Sequence, residues 1–162
     1  MSFQFYQDTI SKEVAICDLK KLNEFCIDVL QRISTLIKGI SQSHLNSLEK
    51  ERINSLTSMV KSGEINWTEI GQILDQLAEI AEADEEHAIE MDLEFVEFLC
   101  SLDNWRALAD TGDRAFAASV SENMMNILDN RFVEDTSLEE WLSVEEINEE
   151  FEKQIGFLQD VT

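Results

Sequence analysis

Apolar positions recur along this chain at close to 3.6 residues, the period that places them on one face of an α-helix. From Ser11 to about Lys38 the series Val14, Cys17, Leu22, Phe25, Cys26, Val29, Ile33, Leu36 and Ile37 predicts one long helix, with Gly39 near its end. A second is expected from about Ser43 to Lys61, with Leu45, Leu48, Ile53, Leu56, Met59 and Val60 turned inward. Lys61 in the last turn and Gly63 beyond it read as a helix stop, because glycine adopts the left-handed cap conformation at little cost. Asn66 and Glu69 have the spacing of an N-terminal capping pair. Ile70, Ile73, Leu74, Leu77 and Ile80 then carry a third stripe.

The acidic residues around Asp84 predict a break. A fourth helix follows with Ile89, Leu93, Val96 and Cys100, and a short helical turn is expected from Asn104 to Asp110. Thr111-Gly112-Asp113 reads as a turn, with Asp113 capping a helix that bears Phe116, Ala117, Val120, Met124, Ile127 and Leu128. The last helix is expected to begin near Thr136 or Ser137, where Ser137 and Glu140 have capping-box spacing, and to carry Leu138, Trp141, Leu142, Ile147, Phe151, Ile155 and Leu158. Residues Glu90 to Phe95 alternate polar and apolar as a strand does. Helix is preferred, because at 100° per residue Glu86, Glu90, Glu94 and Glu97 gather within about 80° of one another. That arrangement describes a largely buried helix exposing one narrow acidic stripe. The expected architecture is all-α, a single bundle-like domain over residues 1–162 with about six main helices and no strand.

Composition supports a packed interior: 162 residues, 44% hydrophobic, with three Trp and nine Phe. The absence of proline and the presence of only five glycines suit long helices. Charge changes the picture more. The chain holds 34 acidic and 12 basic residues, a net charge of −22. Residues 1–63 contain seven acids (Asp8, Glu13, Asp18, Glu24, Asp28, Glu49, Glu51) and eight bases, a net of +1, so residues 64–162 carry −23. A basic partner docking on the second part would favour this partition, since complementary potential raises association rate and specificity. Nucleic acid and anionic membrane surfaces are poor partners for the same reason.

Chemistry is sparse. Of the two histidines, His87 follows Asp84 by three residues, but His44 has no acidic residue three before it, so a paired helical metal site is not expected. There is no Cys-x-x-Cys, no calcium-loop spacing at Asp110-Thr-Gly-Asp113 and no Gly-rich phosphate loop. Ser119 and Ser121 lack the setting of a nucleophile elbow. No metal, cofactor or enzymatic activity is expected. Cys17, Cys26 and Cys100 form an odd, scattered set and read as buried free thiols in a reducing cytoplasm. The start, MSFQFYQDTISKEV, does not read as a signal peptide. No apolar run approaches the roughly 18–20 residues of a membrane span. Cytoplasmic localisation is therefore expected. Trp67, Trp105 and Trp141 each sit near an expected helix start and read as helix-end packing, an exposed interface anchor being the alternative.

Two segments, LDNWRALADTGDRAFAASVSENMMNIL from Leu102 and EEWLSVEEINEEFEKQIGFL from Glu139, resemble small all-helical bacterial proteins. These include a YjaG-like family of unknown function and helical immunity proteins of polymorphic toxin systems. The resemblance implies a cytoplasmic protein that binds a cognate toxin and blocks it, with no catalysis of its own. Together with the charge partition, it leads to an expected inhibitor of a basic protein, with a nuclease toxin favoured. Glu86, Glu90, Glu94 and Glu97 on one helix, and Glu145, Glu149 and Glu152 on the last, are the expected contacts. The alternative is a phage-type DNA mimic of the anti-restriction or anti-CRISPR kind. An enzyme or metal-binding bundle and a regulatory scaffold are less favoured.

Overall fold

A computed structural model describes residues 2–37, 47–83, 93–133 and 137–160. Over these residues the chain is all-helical, as the periodicity predicts, and forms a single compact bundle. The helices are α1 (Phe3–Ile16), α2 (Leu19–Ile37), α3 (Ser47–Ser62), α4 (Trp67–Ala83), α5 (Leu93–Thr111), α6 (Ala115–Phe132) and α7 (Glu145–Gln159). A single 3-10 turn, Trp141–Ser143, precedes α7. The three residues Gly112 to Arg114 fold α6 back along α5, and this pair makes the most extensive contact among the described helices. α2 lies against both. α7 closes over α1, α2 and α6, while α3 packs on α2 and α4 on α5.

Several boundary signals act as expected. Gly63 has φ +72° and donates its N–H to the Met59 carbonyl at 3.1 Å, ending α3. Asn66 Oδ1 accepts from the Glu69 N–H at 3.1 Å and starts α4. Asp113 Oδ1 accepts from the Ala115 N–H at 3.0 Å and starts α6.

Other boundaries fall elsewhere. The long helix expected from Ser11 to Lys38 is two helices with a break at Cys17-Asp18. Asp18 Oδ1 accepts from the Lys21 N–H at 2.8 Å, an N-cap that starts α2 afresh. Upstream of Ser11 the chain is already helical, because the Ser2 hydroxyl caps α1 through the Phe5 N–H at 3.0 Å. The expected turn at 104–110 is the second half of α5. Its polar residues do not interrupt the helix. Ser101 Oγ donates to its own Phe98 carbonyl at 2.6 Å, Asp103 pairs with Arg106, and Asn104 reaches across to Asn123. The capping box expected at Ser137 and Glu140 is instead a turn, and α7 begins only at Glu145. Trp141 explains the delay. Its ring is drawn into the core against Phe3 and Tyr6, and its Nε1 donates to Asp129 Oδ1 at 2.9 Å. The Leu138 carbonyl meanwhile accepts the Phe3 N–H at 2.8 Å, satisfying a donor that α1 cannot satisfy itself.

The tryptophans are interior groups. Trp105 and Trp141 are buried, and Trp67 stacks edge-on to Trp105 at 4.4 Å between centroids. Trp105 lies in the middle of α5, not near a helix start, and donates to Asn23 Oδ1 at 2.8 Å. All three thiols are free. Cys26 is buried and Cys17 half-buried, but Cys100 is exposed, because it lies on the solvent side of α5 with Val96. Both histidines and the junction around Asp84 lie outside the described residues. No described helix is long and apolar enough to cross a membrane.

Burial shapes the alkaline limit of this core. It pushes the Cys26 thiol from its ordinary 9.0 up to about 12. It also raises the Tyr6 phenol above its ordinary 10.0, more than the bond to Ser121 draws it back. Both groups are protonated when folded, so their contribution is complete below pH 9 and is lost as pH rises toward the folded values. The urea midpoint is expected to fall between pH 9 and pH 10. In Cys26→Ala that fall should be smaller; parallel pH profiles for the two proteins would contradict this.

Candidate partner-binding surface

α7 separates its carboxylates by face. Ile147, Phe151, Gln154 and Leu158 turn inward, and at 100° per residue Glu150 lies within about 60° of Ile147 on that same side. Glu145, Glu149 and Glu152 lie on the opposite side and are exposed. Glu145 and Glu146 occupy the first turn of α7, where a negative charge is favoured by about 0.3–1 kcal/mol. Glu145 and Glu149 stand one turn apart, where like charges oppose each other by roughly 0.2–0.5 kcal/mol. Asn148 Nδ2 donates to Glu152 Oε1 at 3.2 Å and holds that side chain along the helix.

Glu150 does something different. It is only 3% exposed. Arg32 on α2 meets it through Nε at 2.7 Å and through its second terminal nitrogen at 2.9 Å, while its first binds Asp28 at 2.5 Å. Burial pulls the Arg32 guanidinium down, but the bonds to Glu150 and Asp28 outweigh it and leave the group above its ordinary value. Gln154 Nε2 donates to Glu150 Oε2 at 2.8 Å. The Ser121 hydroxyl donates to Gln154 Oε1, which leaves the Tyr6 hydroxyl to donate to Ser121 Oγ at 2.5 Å. One continuous polar chain therefore runs from α1 through α6 and α7 to α2.

The other expected carboxylates divide. Glu86 and Glu90 lie outside the described residues. Glu94 and Glu97 are on α5, but they face α6 instead of forming a surface stripe. Glu94 is buried, and Arg131 grips both of its oxygens through Nε at 2.8 and 3.0 Å while reaching the Leu36 carbonyl at 3.0 Å. Glu97 is half-buried and accepts from Asn123 Nδ2 at 2.8 Å and from Asn126 at 3.3 Å. The solvent side of this part of α5 is Leu93, Val96 and Cys100. A missed signal lay in the helical angle. Glu94 falls about 20° from Trp105 and 40° from Phe98, both core residues, so its carboxylate had to point inward.

A groove of about 330 Å³ opens where α2, α6 and α7 meet. Leu36 from α2 and Met124, Leu128 and Phe132 from α6 supply its apolar lining. Glu146, Glu149 and Lys153 line it from α7, and the paired Arg32 and Glu150 close one side with Thr35. Glu149 thus belongs both to this groove and to the exposed acidic face. A larger open hollow, about 710 Å³, lies over α3 and the start of α4, but hydroxyl and amide side chains such as Ser47, Asn54 and Ser58 dominate its lining. Among the described residues no three His, Cys, Asp or Glu side chains converge as metal ligands would.

Neither protein-family models, curated proteins nor solved structures give a match to this chain.

The inward and outward carboxylates should respond differently to substitution. Glu94→Ala takes the carboxylate from Arg131, and Glu150→Ala takes an acceptor from both Arg32 and Gln154, so each should lower stability by about 2–4 kcal/mol. Removing the outer charges together, in Glu145→Gln, Glu149→Gln and Glu152→Gln, should change it by no more than about 0.5 kcal/mol. Urea unfolding followed by circular dichroism makes the comparison; equal losses in the two sets would refute the division.

Proposed function

We propose that this chain binds a basic protein and blocks it, as an immunity protein blocks its cognate toxin, with a nuclease the favoured target. The observation that carries this reading is the outer face of α7. Glu145, Glu149 and Glu152 stand exposed there, within the part of the chain that holds the whole charge excess. A nuclease gathers Lys and Arg to hold phosphate. Those cations would meet the α7 carboxylates, and the bound bundle would stand where nucleic acid otherwise enters. Long-range attraction speeds such an encounter, and its strength falls with salt. The likeness of Leu102–Leu128 and Glu139–Leu158 to helical immunity proteins points the same way.

A DNA mimic would need a continuous track of carboxylates, roughly one per 1.7 Å of axis. Glu94 and Glu97 are engaged with α6 and do not contribute to such a track, and residues 1–63 are nearly neutral. Both points favour a protein partner recognised through a limited face. In the proposed role the chain performs no catalysis.

The test is affinity capture from a lysate of the source organism at low and high salt, using the wild-type chain and the triple variant Glu145→Lys, Glu149→Lys, Glu152→Lys. One basic protein should be recovered, with a nucleic-acid-cleaving activity that the wild-type chain inhibits at equimolar ratio. Its affinity for the triple variant should drop at least about 100-fold, since three reversed contacts at about 1 kcal/mol or more each sum to that range. Undiminished binding by the triple variant would remove α7 from the interface, and an inhibited partner without a basic surface would overturn the reading.

A further inference from the structure

Charge alone does not account for the groove between α2, α6 and α7. An acidic face that attracts cations needs no apolar lining, yet this one has Leu36, Met124, Leu128 and the ring of Phe132, which is 42% exposed. An aromatic ring left half in water costs free energy that burial against another apolar group would recover. Phe132 is not an isolated surface residue either, since it stands at the lip of a concavity whose other apolar members belong to or pack against the core.

The charged groups around this lining narrow the choice of occupant. The Arg32 charge is matched by Glu150 and Asp28, so it does not repel a cation. Glu146, Glu149 and Lys153 are the remaining charges of the groove, and Glu145 and Glu152 stand beside them on α7. The balance is negative around an apolar centre. A partner complementary to both features is an amphipathic, cationic helix, and helices commonly dock by laying apolar residues into such a groove.

We infer that the groove seats one bulky apolar side chain of a cationic helix on the partner, with Glu146 and Glu149 receiving the lysines or arginines that flank it. The inference rests on the basic-partner reading and adds where and how that partner is held. Met124, unbranched and polarisable, lets the lining adapt to the inserted group. The apolar anchor slows dissociation, whereas the carboxylates mainly speed association.

Two synthetic 14-residue peptides of identical charge test it: a leucine/lysine amphipathic helix, and a control in which serine replaces every leucine. Affinity is measured by titration calorimetry, and contact sites by methyl resonances of the labelled protein. The leucine/lysine peptide should bind at least about tenfold more tightly, the value of one buried large apolar side chain, and should shift the Leu36, Met124 and Leu128 methyls. Phe132→Ser should erase most of that advantage, its fold being checked by circular dichroism. Glu149→Lys, on an exposed position, should weaken the leucine/lysine peptide without disturbing the core methyls. Equal binding of the two peptides would overturn the groove while leaving the basic-partner reading intact. Preferential binding that is unchanged by salt and by Glu149→Lys would overturn the cationic half, and the basic-partner reading with it. Failure of both peptides to bind would overturn the inference outright.

Discussion

The arrangement of this bundle depends on the pairing of Arg32 with Glu150. A guanidinium and a carboxylate that meet in a largely dry setting add little net stability, because desolvation cancels most of their attraction. Separating them is another matter. Any packing that moved α2 from α7 would strand a buried charge, at a cost of about 3–5 kcal/mol. The polar chain beyond the pair extends the constraint. Gln154 uses its amide to hold Glu150 and its carbonyl to accept from Ser121, and Ser121 in turn accepts from Tyr6. Each group has one compatible donor or acceptor role. Four helices are thereby held in a single register within a core that is mostly aliphatic and aromatic, where apolar contacts alone would tolerate sliding.

Around that constraint the carboxylates fall into two populations that composition does not distinguish. Glu94 and Glu150 are internal struts, each gripped by an arginine from another helix. Glu145, Glu149 and Glu152 have the same chemistry but face solvent, and little in the bundle depends on them. Of the four bases in the acidic second part, Arg131 holds Glu94, and Lys153 shares the groove with Glu149. The surface field is therefore set by acids without structural duties, and they can be matched to a partner without loss of the fold.

Much of the fold was legible because helix periodicity and end signals are local. Gly63, Asn66 and Asp113 mark the boundaries they were expected to mark. Most of what was missed depended on distant residues, the inward angle of Glu94 being the local exception. Asp18 is a competent cap, but the apolar series runs through it, and only the Lys21 N–H bond reveals the break. Ser137 and Glu140 have the right spacing for a cap, yet the pull of the core on Trp141 delays the helix by two turns. Glu94 and Glu97 looked like a surface stripe because they share a face with one another. Their partners, Arg131 and the asparagines of α6, lie about 30 residues further on, and no local pattern announces them. On α7 the outward placement of Glu145, Glu149 and Glu152 was legible within one helix, but Glu150, expected beside them, turns inward to Arg32 of α2. The groove was not, because three helices far apart in sequence build it.

The tie between Phe3 and Leu138, together with Tyr6 bonded to Ser121 and stacked near Trp141, bears on how the protein emerges from the ribosome. α1 finds these partners only after at least 115 further residues have been made. Gln154 follows Tyr6 by about 148 residues, roughly 7–30 s at 5–20 residues per second. For most of that interval the face of α1 that meets α6 and α7 lacks them, whereas α2 can pack on α3 and α5 as they are made. α1 therefore waits beside a growing assembly of α2, α3 and α5 until α6 and α7 are made and lock it in place.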